Sequence, residues 1–246
     1  MLKNLFTWTF ETWYHTVLVL FVFFNALYWV SSIGANGLLK WLYKKQLVSP
    51  VDNHARYPGQ VKKEMQQSFL SMVVFSLQGI IIQQGLQQGW LQVSFETGWH
   101  CLPQMLLLFF WNEVHFYLVH RLLHIPWLIR RVHFVHHTSK EPTVFSTFSF
   151  HWVEAFLLGT VIIFPLLIYP FQILAVLFLP VMSIVLNTLG HCNYDLFPQL
   201  APNVFLKFSN RHSLHHKKGK GNYGFMLPWF DSLFNTGVSK KNNKHE

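Results

Sequence analysis

The sequence predicts an all-α fold, an integral-membrane helical bundle capped on its cytosolic face by histidine-rich segments. Three observations predict it. Charged residues make up only 12% of the chain, where soluble domains carry about 25%. Hydrophobic residues reach 51% and aromatics 17%, in runs of nearly the ~20 residues that cross a bilayer. Finally, HRLLHIPWLIRRVHFVHH, residues 120–137, crowds five histidines into eighteen positions directly after such a run.

In chain order, the first spanning segment is HTVLVLFVFFNALYWVSSIG, 15–34, with Trp and Tyr near its end, as an interfacial belt requires. The fifteen residues before and into it hold one Lys and the acidic Glu11, a weak basic start for a secretory signal. The segment therefore reads as an uncleaved anchor. A basic, turn-rich loop follows from Lys40 to Lys63. SFLSMVVFSLQGIII, 68–82, is short for a full span and needs its Gln-rich flanks to cross, or lies partly re-entrant. Residues 83–100 contain no Lys or Arg, and a third spanning candidate runs from Pro103 to Val119. The apolar block 155–189 is broken by Pro165, Pro170 and Pro180. It is too long for one span and suits a hairpin that returns to the side it left. We read one integral-membrane domain over 1–246, with a spanning region over 15–100 and no internal repeat. Cys101 and Cys192 sit in apolar surroundings without a CxxC pair and read as packing residues.

The net charge of +9 does not indicate nucleic-acid binding, because the Lys and Arg flank apolar runs, as in proteins that mark their cytoplasmic side. Their asymmetry puts 40–63, every histidine cluster and the C-terminus on the cytoplasmic face, and 83–100 on the other.

Three clusters carry the chemistry: His120 and His124; His133, His136 and His137; His212, His215 and His216. Residues four apart share a helical face, so His120 and His124 point one way together. In an i, i+3, i+4 set the last two diverge by about 100°, so one helix can serve two neighbouring metals. Pro126 is expected to end the first helix and start the next, folding the two clusters together. Fifteen His in the chain predict on the order of 0.05 occurrences of HxxHH, and there are two. His191, in LGHCNYD at the end of the hairpin, is a further candidate ligand, with Asp195 four residues on. His151, three residues before Glu154 in HWVE, is a ligand candidate or pairs with Glu154 behind the ligands. His115 lies off the face of His120 and reads as packing or support, while His15, His54, His100 and His245 read as ordinary lone histidines. An imidazole set without thiolates suits Zn, Cu, Fe or Ni. Eight or nine nitrogens are too many for one ion and fit two, which makes the cap a di-metal one.

HRLLH, HFVHH and HSLHH, with WNEVHFYLVHR before and GNYGFMLPWFDSLFNT after, resemble the fatty acid hydroxylase/sterol desaturase superfamily over roughly 104–236. Only eight residues separate His124 from His133, a gap resembling this superfamily rather than acyl-CoA desaturases. HWVE resembles its His-Pro-x-Glu element with Trp152 in place of Pro. GHCNYD resembles the element that donates a further ligand, and Asn112 stands where the family often has an acidic residue. The resemblance implies a catalytic region over 104–236 with a non-haem di-iron centre, zinc being able to replace iron in a preparation. With O₂ as co-substrate, such a centre takes hydrogen from an unactivated C–H bond of a membrane lipid, giving hydroxylation or desaturation. A sterol, fatty acyl chain or sphingoid base would suit. It also implies that Asn222 and Asp231 orient ligands, against the ordinary reading of an exposed turn Asn and a capping Asp. Lys207, Arg211, Lys217, Lys218 and Lys220 would meet acidic headgroups or an acidic donor, or only enforce topology. No fused electron-transfer domain has room in the chain, so electrons are expected from a separate cytochrome b5-, ferredoxin- or reductase-type partner. Bacterial inner membrane and endoplasmic reticulum both fit. The alternative from another class is a membrane metal transporter or sensor. Transporters place ionisable residues near the midplane, whereas these clusters flank the spans.

Overall fold

The computed structural model describes residues 1–53, 55–96, 98–201 and 204–238; His54 and His245 lie outside them. A short helix, α1 (Leu2–Thr9), precedes α2 (Trp13–Lys44), which opens where the Thr12 hydroxyl accepts the His15 amide. At 1.5 Å per residue α2 is about 48 Å long, well beyond the ~30 Å hydrocarbon core, so its Lys40 and Lys44 end projects from it. α3 (Gln60–Gln87) runs back beside α2. Then come α4 (Cys101–Leu123) and α5, whose parts are Pro126–Leu128, a π-helical turn Ile129–His133, and Phe134–His137. The hairpin consists of α6 (Trp152–Gly159), a 3₁₀ turn (Thr160–Ile162), α7 (Ile163–Ile168) and α8 (Ile173–Gly190). α9 (Phe208–Lys218) and α10 (Trp229–Leu233) close the chain.

Among the described residues, three helices are long and apolar enough to cross a membrane: α2, α3 and α8. The first expected span lengthens at both ends. The short second candidate is the middle of a 28-residue helix, because the glutamines that make its flanks look polar turn inward. Gln60, Gln78 and Gln83 are all buried. The third candidate, 103–119, is helical but is not one of the three; Gln104, Asn112, Glu113 and His115 lower its hydropathy and are buried within the bundle. The hairpin forms with its break at 169–172, where Pro170 and an extended Gln172 interrupt the helix.

Polar residues on the spanning helices anchor one loop. The Tyr28 hydroxyl donates to the Phe145 carbonyl at 2.8 Å, Ser68 to the same oxygen at 3.0 Å, and Ser32 to Val144 at 3.0 Å. Glu64 accepts from Gln60 at 2.8 Å and from Thr143 at 2.5 Å. A polar group buried away from water costs free energy unless paired, so these contacts fix the path of 139–149. Tyr28, Met72, Phe148, Phe150, Ala155 and Ile184 pack into a core beneath that loop. Both cysteines are buried and unpaired with one another. A two-residue antiparallel pair, Ser49–Pro50 against Tyr194–Asp195, ties the basic loop after α2 to the segment after His191.

Candidate metal centre

The nine histidines drawn from the clusters and from His191 meet in two nests. His120, His124, His133, His137 and His215 form one, and His136, His191, His212 and His216 the other; within each, one ring nitrogen per residue lies within 4.8 Å of all the rest. All are buried except half-buried His124. Helical angles explain the partition. From α5 the i, i+4 pair His133/His137 enters the first nest and His136 the second; from α9 the pair His212/His216 enters the second and His215 the first. His120 and His124 come from one face at the end of α4. His124 caps that helix, and Pro126 begins α5 immediately after an extended Ile125, which makes the expected corner. The π turn that carries His133 is a distortion found frequently at functional sites.

Ring orientation is set from behind, largely by backbone carbonyls. Nδ1 of His120 donates to Tyr223 O at 2.9 Å, of His136 to Ser149 O at 3.2 Å, and of His191 to Asn187 O at 2.8 Å. Likewise Nδ1 of His215 donates to Gly221 O at 2.6 Å and of His216 to Ser139 O at 3.0 Å. His133 Nδ1 donates to Glu154 Oε1 at 2.9 Å. A neutral imidazole has one N–H, so in these rings Nε2 is a bare lone pair. Burial is the main cause that holds His215 and His191 down to about 4, and His133, His136, His137, His212 and His216 well below the ordinary histidine range. Neighbouring imidazoles add to it for the latter five. Burial likewise raises the Glu154 carboxyl.

The fit of a cation follows from one contact. His136 and His191 both spend Nδ1–H on main-chain oxygens, yet their Nε2 atoms stand 3.1 Å apart. That contact is no hydrogen bond: two lone pairs face one another and repel. A cation off the line between them turns repulsion into ligation, since metal–imidazole bonds of about 2.0–2.1 Å let both nitrogens reach one ion. His191 and His212 approach at 2.9 Å, and His215 and His137 at 3.1 Å.

Two other sequence expectations fail. Asp195 is not at the nests: its Oδ2 accepts from Lys207 at 2.7 Å and Asn210 at 3.0 Å, and its Oδ1 from the Phe197 amide at 3.2 Å. α8 ends at Gly190, so four residues on from His191 no longer means the same helical face. His151 caps α6, its Nδ1 accepting the Val153 amide at 3.2 Å. Glu154 pairs with His133 instead of His151, because it sits within the first turn of α6 facing α5. Asn222 and Asp231 are buried, against the exposed-turn reading. They brace the loop whose carbonyls orient His215 and His120. Asn222, at φ +51°, exchanges hydrogen bonds with Val238. Asp231 accepts from the Tyr223 and Gly224 amides at 2.8 and 2.7 Å and from Thr236 Oγ1 at 2.6 Å.

Of the basic residues after 206, Lys207 is buried against Asp195, Arg211 donates to the carbonyls of Val204, Phe205 and Met226, and Lys217 pairs with Asp52 at 2.5 Å. These three stabilise the chain's own fold. His115 donates Nε2–H to Thr160 Oγ1 at 3.0 Å, as a supporting residue.

Sequence reasoning missed Glu113, whose carboxylate accepts the Met226 and Leu227 amides at 3.0 and 2.7 Å and so holds the tail to α4. A carboxylate inside an apolar run was the available signal. It also missed Tyr223, whose ring lies 4.7 Å from that of His124 and beneath the Arg121 guanidinium at 4.9 Å.

Gly221 is required as glycine. It sits at φ +73°, and a Cβ there would lie 2.2 Å from Val238 Cγ2 and 2.9 Å from Thr236 O. We expect Gly221→Ala to cost about 2 kcal/mol or more through left-handed strain alone, read as a lower Tm, and to displace the carbonyl behind His215. Glu154→Gln keeps volume but weakens the bond that orients His133. Loss of such outer contacts lowers metal affinity roughly 10–100-fold, which a competitive chelator titration would measure.

An apolar cavity of about 430 Å³ runs from α1 toward the nests, whose histidines do not line it. Phe116, Phe150, Leu158 and Asn187 line both this cavity and a small gap of about 10 Å³ between the histidines.

Apolar helices of spanning length, ended by two nests of convergent imidazoles, define a membrane-type protein with a histidine cluster able to hold metal. The fatty acid hydroxylase family model matches residues 105–236, and the chain belongs to that family. It is 32% identical over 145 residues to Very-long-chain aldehyde decarbonylase GL1-7 of Oryza sativa subsp. japonica, covering 54% of this chain and 23% of that protein. Over 134 residues it is 31% identical to Very-long-chain aldehyde decarbonylase CER1 of Arabidopsis thaliana, covering 50% and 21% of the two chains. The match to Protein CER1-like 2 of Arabidopsis thaliana is also 31% over 134 residues, with 50% and 22% coverage. The chain thus spans less than a quarter of the length of these relatives. No solved structure matches it.

Proposed function

We propose that this chain is an O₂-dependent, non-haem di-iron membrane oxygenase that hydroxylates or desaturates an unactivated C–H position of a lipid. The observation that supports it is the pairing of two lone-pair-rich histidine nests with an apolar cavity that shares four wall residues with the gap between those histidines. His120, His124, His133, His137 and His215 would hold one iron, and His136, His191, His212 and His216 the other. Iron bound there supplies redox chemistry with O₂ that no side chain of this chain provides.

The protein's own part is orientation and exclusion. Carbonyls and Glu154 fix six of the nine rings, those of His120, His133, His136, His191, His215 and His216, with Nε2 forward. Phe116, Phe150 and Leu158 bring an apolar chain to the edge of the nests and keep water from the cavity. Substrate enters from the bilayer. Electrons come from a separate donor of cytochrome b5, ferredoxin or reductase type. Pairing of Ser49–Pro50 with Tyr194–Asp195 puts the basic loop at the same end as the nests, which supports a cytoplasmic metal site.

Lipid mass spectrometry of cells with and without the protein tests this. Gain of one oxygen or loss of two hydrogens, dependent on O₂, is the expected result. The names of the aldehyde decarbonylase relatives add a third reading, an aldehyde converted with loss of its carbonyl carbon. Metal flux into proteoliposomes with no oxygen-dependent lipid change would overturn the oxygenase in favour of a transporter.

A further inference from the structure

The two nests rest on different parts of the chain. Rings of the five-histidine nest take their orientation from Tyr223 O, Gly221 O and Glu154. In the four-histidine nest, His216 donates to Ser139 O at 3.0 Å and His136 to Ser149 O at 3.2 Å, the two ends of a single loop. That loop, 139–149, is therefore a frame behind one nest. What holds the frame includes helices outside the region 105–236 that matches the family model.

Six side chains of α2 and α3 reach the loop. At its start Gln60 donates Nε2–H to Glu141 O at 2.8 Å, and Thr143 Oγ1 donates to Glu64 Oε2 at 2.5 Å. Tyr28, Ser32 and Ser68 hold its middle at Val144 O and Phe145 O. At its end Ser149 Oγ donates to Gln67 Oε1 at 2.5 Å. Gln60, Glu64, Gln67 and Ser68 follow at i, i+4, i+7 and i+8, one face of α3, so the helix presents a polar stripe to the loop. Glu64 is the acid of that stripe, at 0% exposure. A carboxylate buried in a helix of membrane-spanning length is costly without partners. Here both oxygens are paired: Oε1 accepts from Gln60 at 2.8 Å and Oε2 from Thr143. Thr143 Oγ1 in turn accepts the Phe145 amide at 3.1 Å, so the carboxylate fixes the turn on the way from Ser139 to Ser149.

We propose that Glu64 is a positioning residue for the four-histidine nest: through the 139–149 loop it sets the rings of His136 and His216 and leaves the five-histidine nest untouched. The helices that precede the family-matched region thus tune one of the two metal positions. Removing the carboxylate frees the Thr143 hydroxyl and loosens the start of the loop, so Ser139 O and Ser149 O no longer stand at fixed places behind the rings. The inference rests on the reading of the nests as metal sites.

The test uses the full chain, purified in detergent and loaded anaerobically with Fe(II), from which a competitive chelator removes each ion in turn. In Glu64→Leu one ion should be held about tenfold more weakly, the lower end of the effect of losing an outer contact, because the carbonyls are loosened rather than removed. The other ion should stay within about twofold of its native affinity. In a His136→Ala background, where the five-histidine ion remains, Glu64→Leu should add no further loss. Glu64→Gln should restore native affinity, since its amide accepts from Gln60 and donates to the Thr143 hydroxyl. Gln67→Ala, a half-buried change at the other end of the loop, should weaken the same ion and gives a second reading if Glu64→Leu does not fold. Hydrogen exchange of the metal-free chain reads the loop by itself, whose Phe145, Ser146 and Ser149 amides are bonded within it. In Glu64→Leu peptides from 139–149 should exchange faster and those from 219–236 should not. Equal weakening of both ions, or of neither, overturns the inference, and so does unchanged exchange of the loop. A native chain that binds no iron, with faster exchange confined to 139–149, removes the metal reading while supporting the positioning; two ions held by Glu64→Leu as tightly as by the native chain does the reverse.

Discussion

His136→Ala is expected to bind one metal ion where the native chain should bind two, and to lose the proposed lipid-modifying activity altogether. The four-histidine nest drops to three nitrogens. The loss is of a ligand and not of a group behind one, so it exceeds the roughly 10–100-fold drop in affinity that follows removal of an outer hydrogen bond. The five-histidine nest draws only His133 and His137 from the same helix, and both keep their contacts to Glu154 and His215. It should therefore retain its ion. Metal analysis of the purified variant, with its helical circular dichroism as a check on folding, reads the difference. Retention of two ions would show that His136 is not a ligand.

The second large effect is expected from a residue that touches no imidazole. Asp231 accepts from the Tyr223 and Gly224 amides and from Thr236. Asp231→Ala leaves three donors in a buried loop without their acceptor. At about 1–3 kcal/mol for each buried unsatisfied group, partly offset by water, the cost is of order 3–5 kcal/mol, a large share of the ~5–15 kcal/mol that holds a domain together. The damage is directed. Tyr223 O is the acceptor behind His120, and Gly221 O the one behind His215, so two ligands of the five-histidine nest lose their orientation. Asp231→Asn keeps the shape and part of the acceptor capacity and should fall between. A Tm lowered by several degrees, with metal lost first from the five-histidine nest, is the expected result. A Tm and metal content equal to the native chain would remove Asp231 from the account.

The contrast between these residues shows what a sequence can and cannot display. His136 was legible because an i, i+3, i+4 spacing is a statement about angles around a helix, and those angles sort the rings into groups of five and four. The corner at Pro126 was legible for the same kind of reason, since proline restricts the backbone locally. Asp195 failed as a candidate because the spacing argument assumed helix where α8 had already ended, and its carboxylate went to Lys207 and Asn210. Asn222 looked like a turn residue and is one, but the turn is buried under the tail. The acceptors behind the rings are mainly carbonyls of Ser139, Ser149, Asn187, Gly221 and Tyr223, and a carbonyl leaves no mark on the residue that carries it. α3 was hard to bound for a related reason. Its glutamines lower the mean hydropathy, and only tertiary packing reveals that several face inward. The cavity joins helices far apart in sequence, so no local pattern could announce it.

The proposed oxygenase depends on two ions standing in the two nests. The most direct measurement is the iron content of the anaerobically reconstituted full chain, paired with X-ray absorption at the iron edge. The account predicts two irons per chain, each in a shell of nitrogen and oxygen without sulfur. A content of one or none after reconstitution, or full iron retained when His136 and His215 are both replaced by alanine, would contradict it.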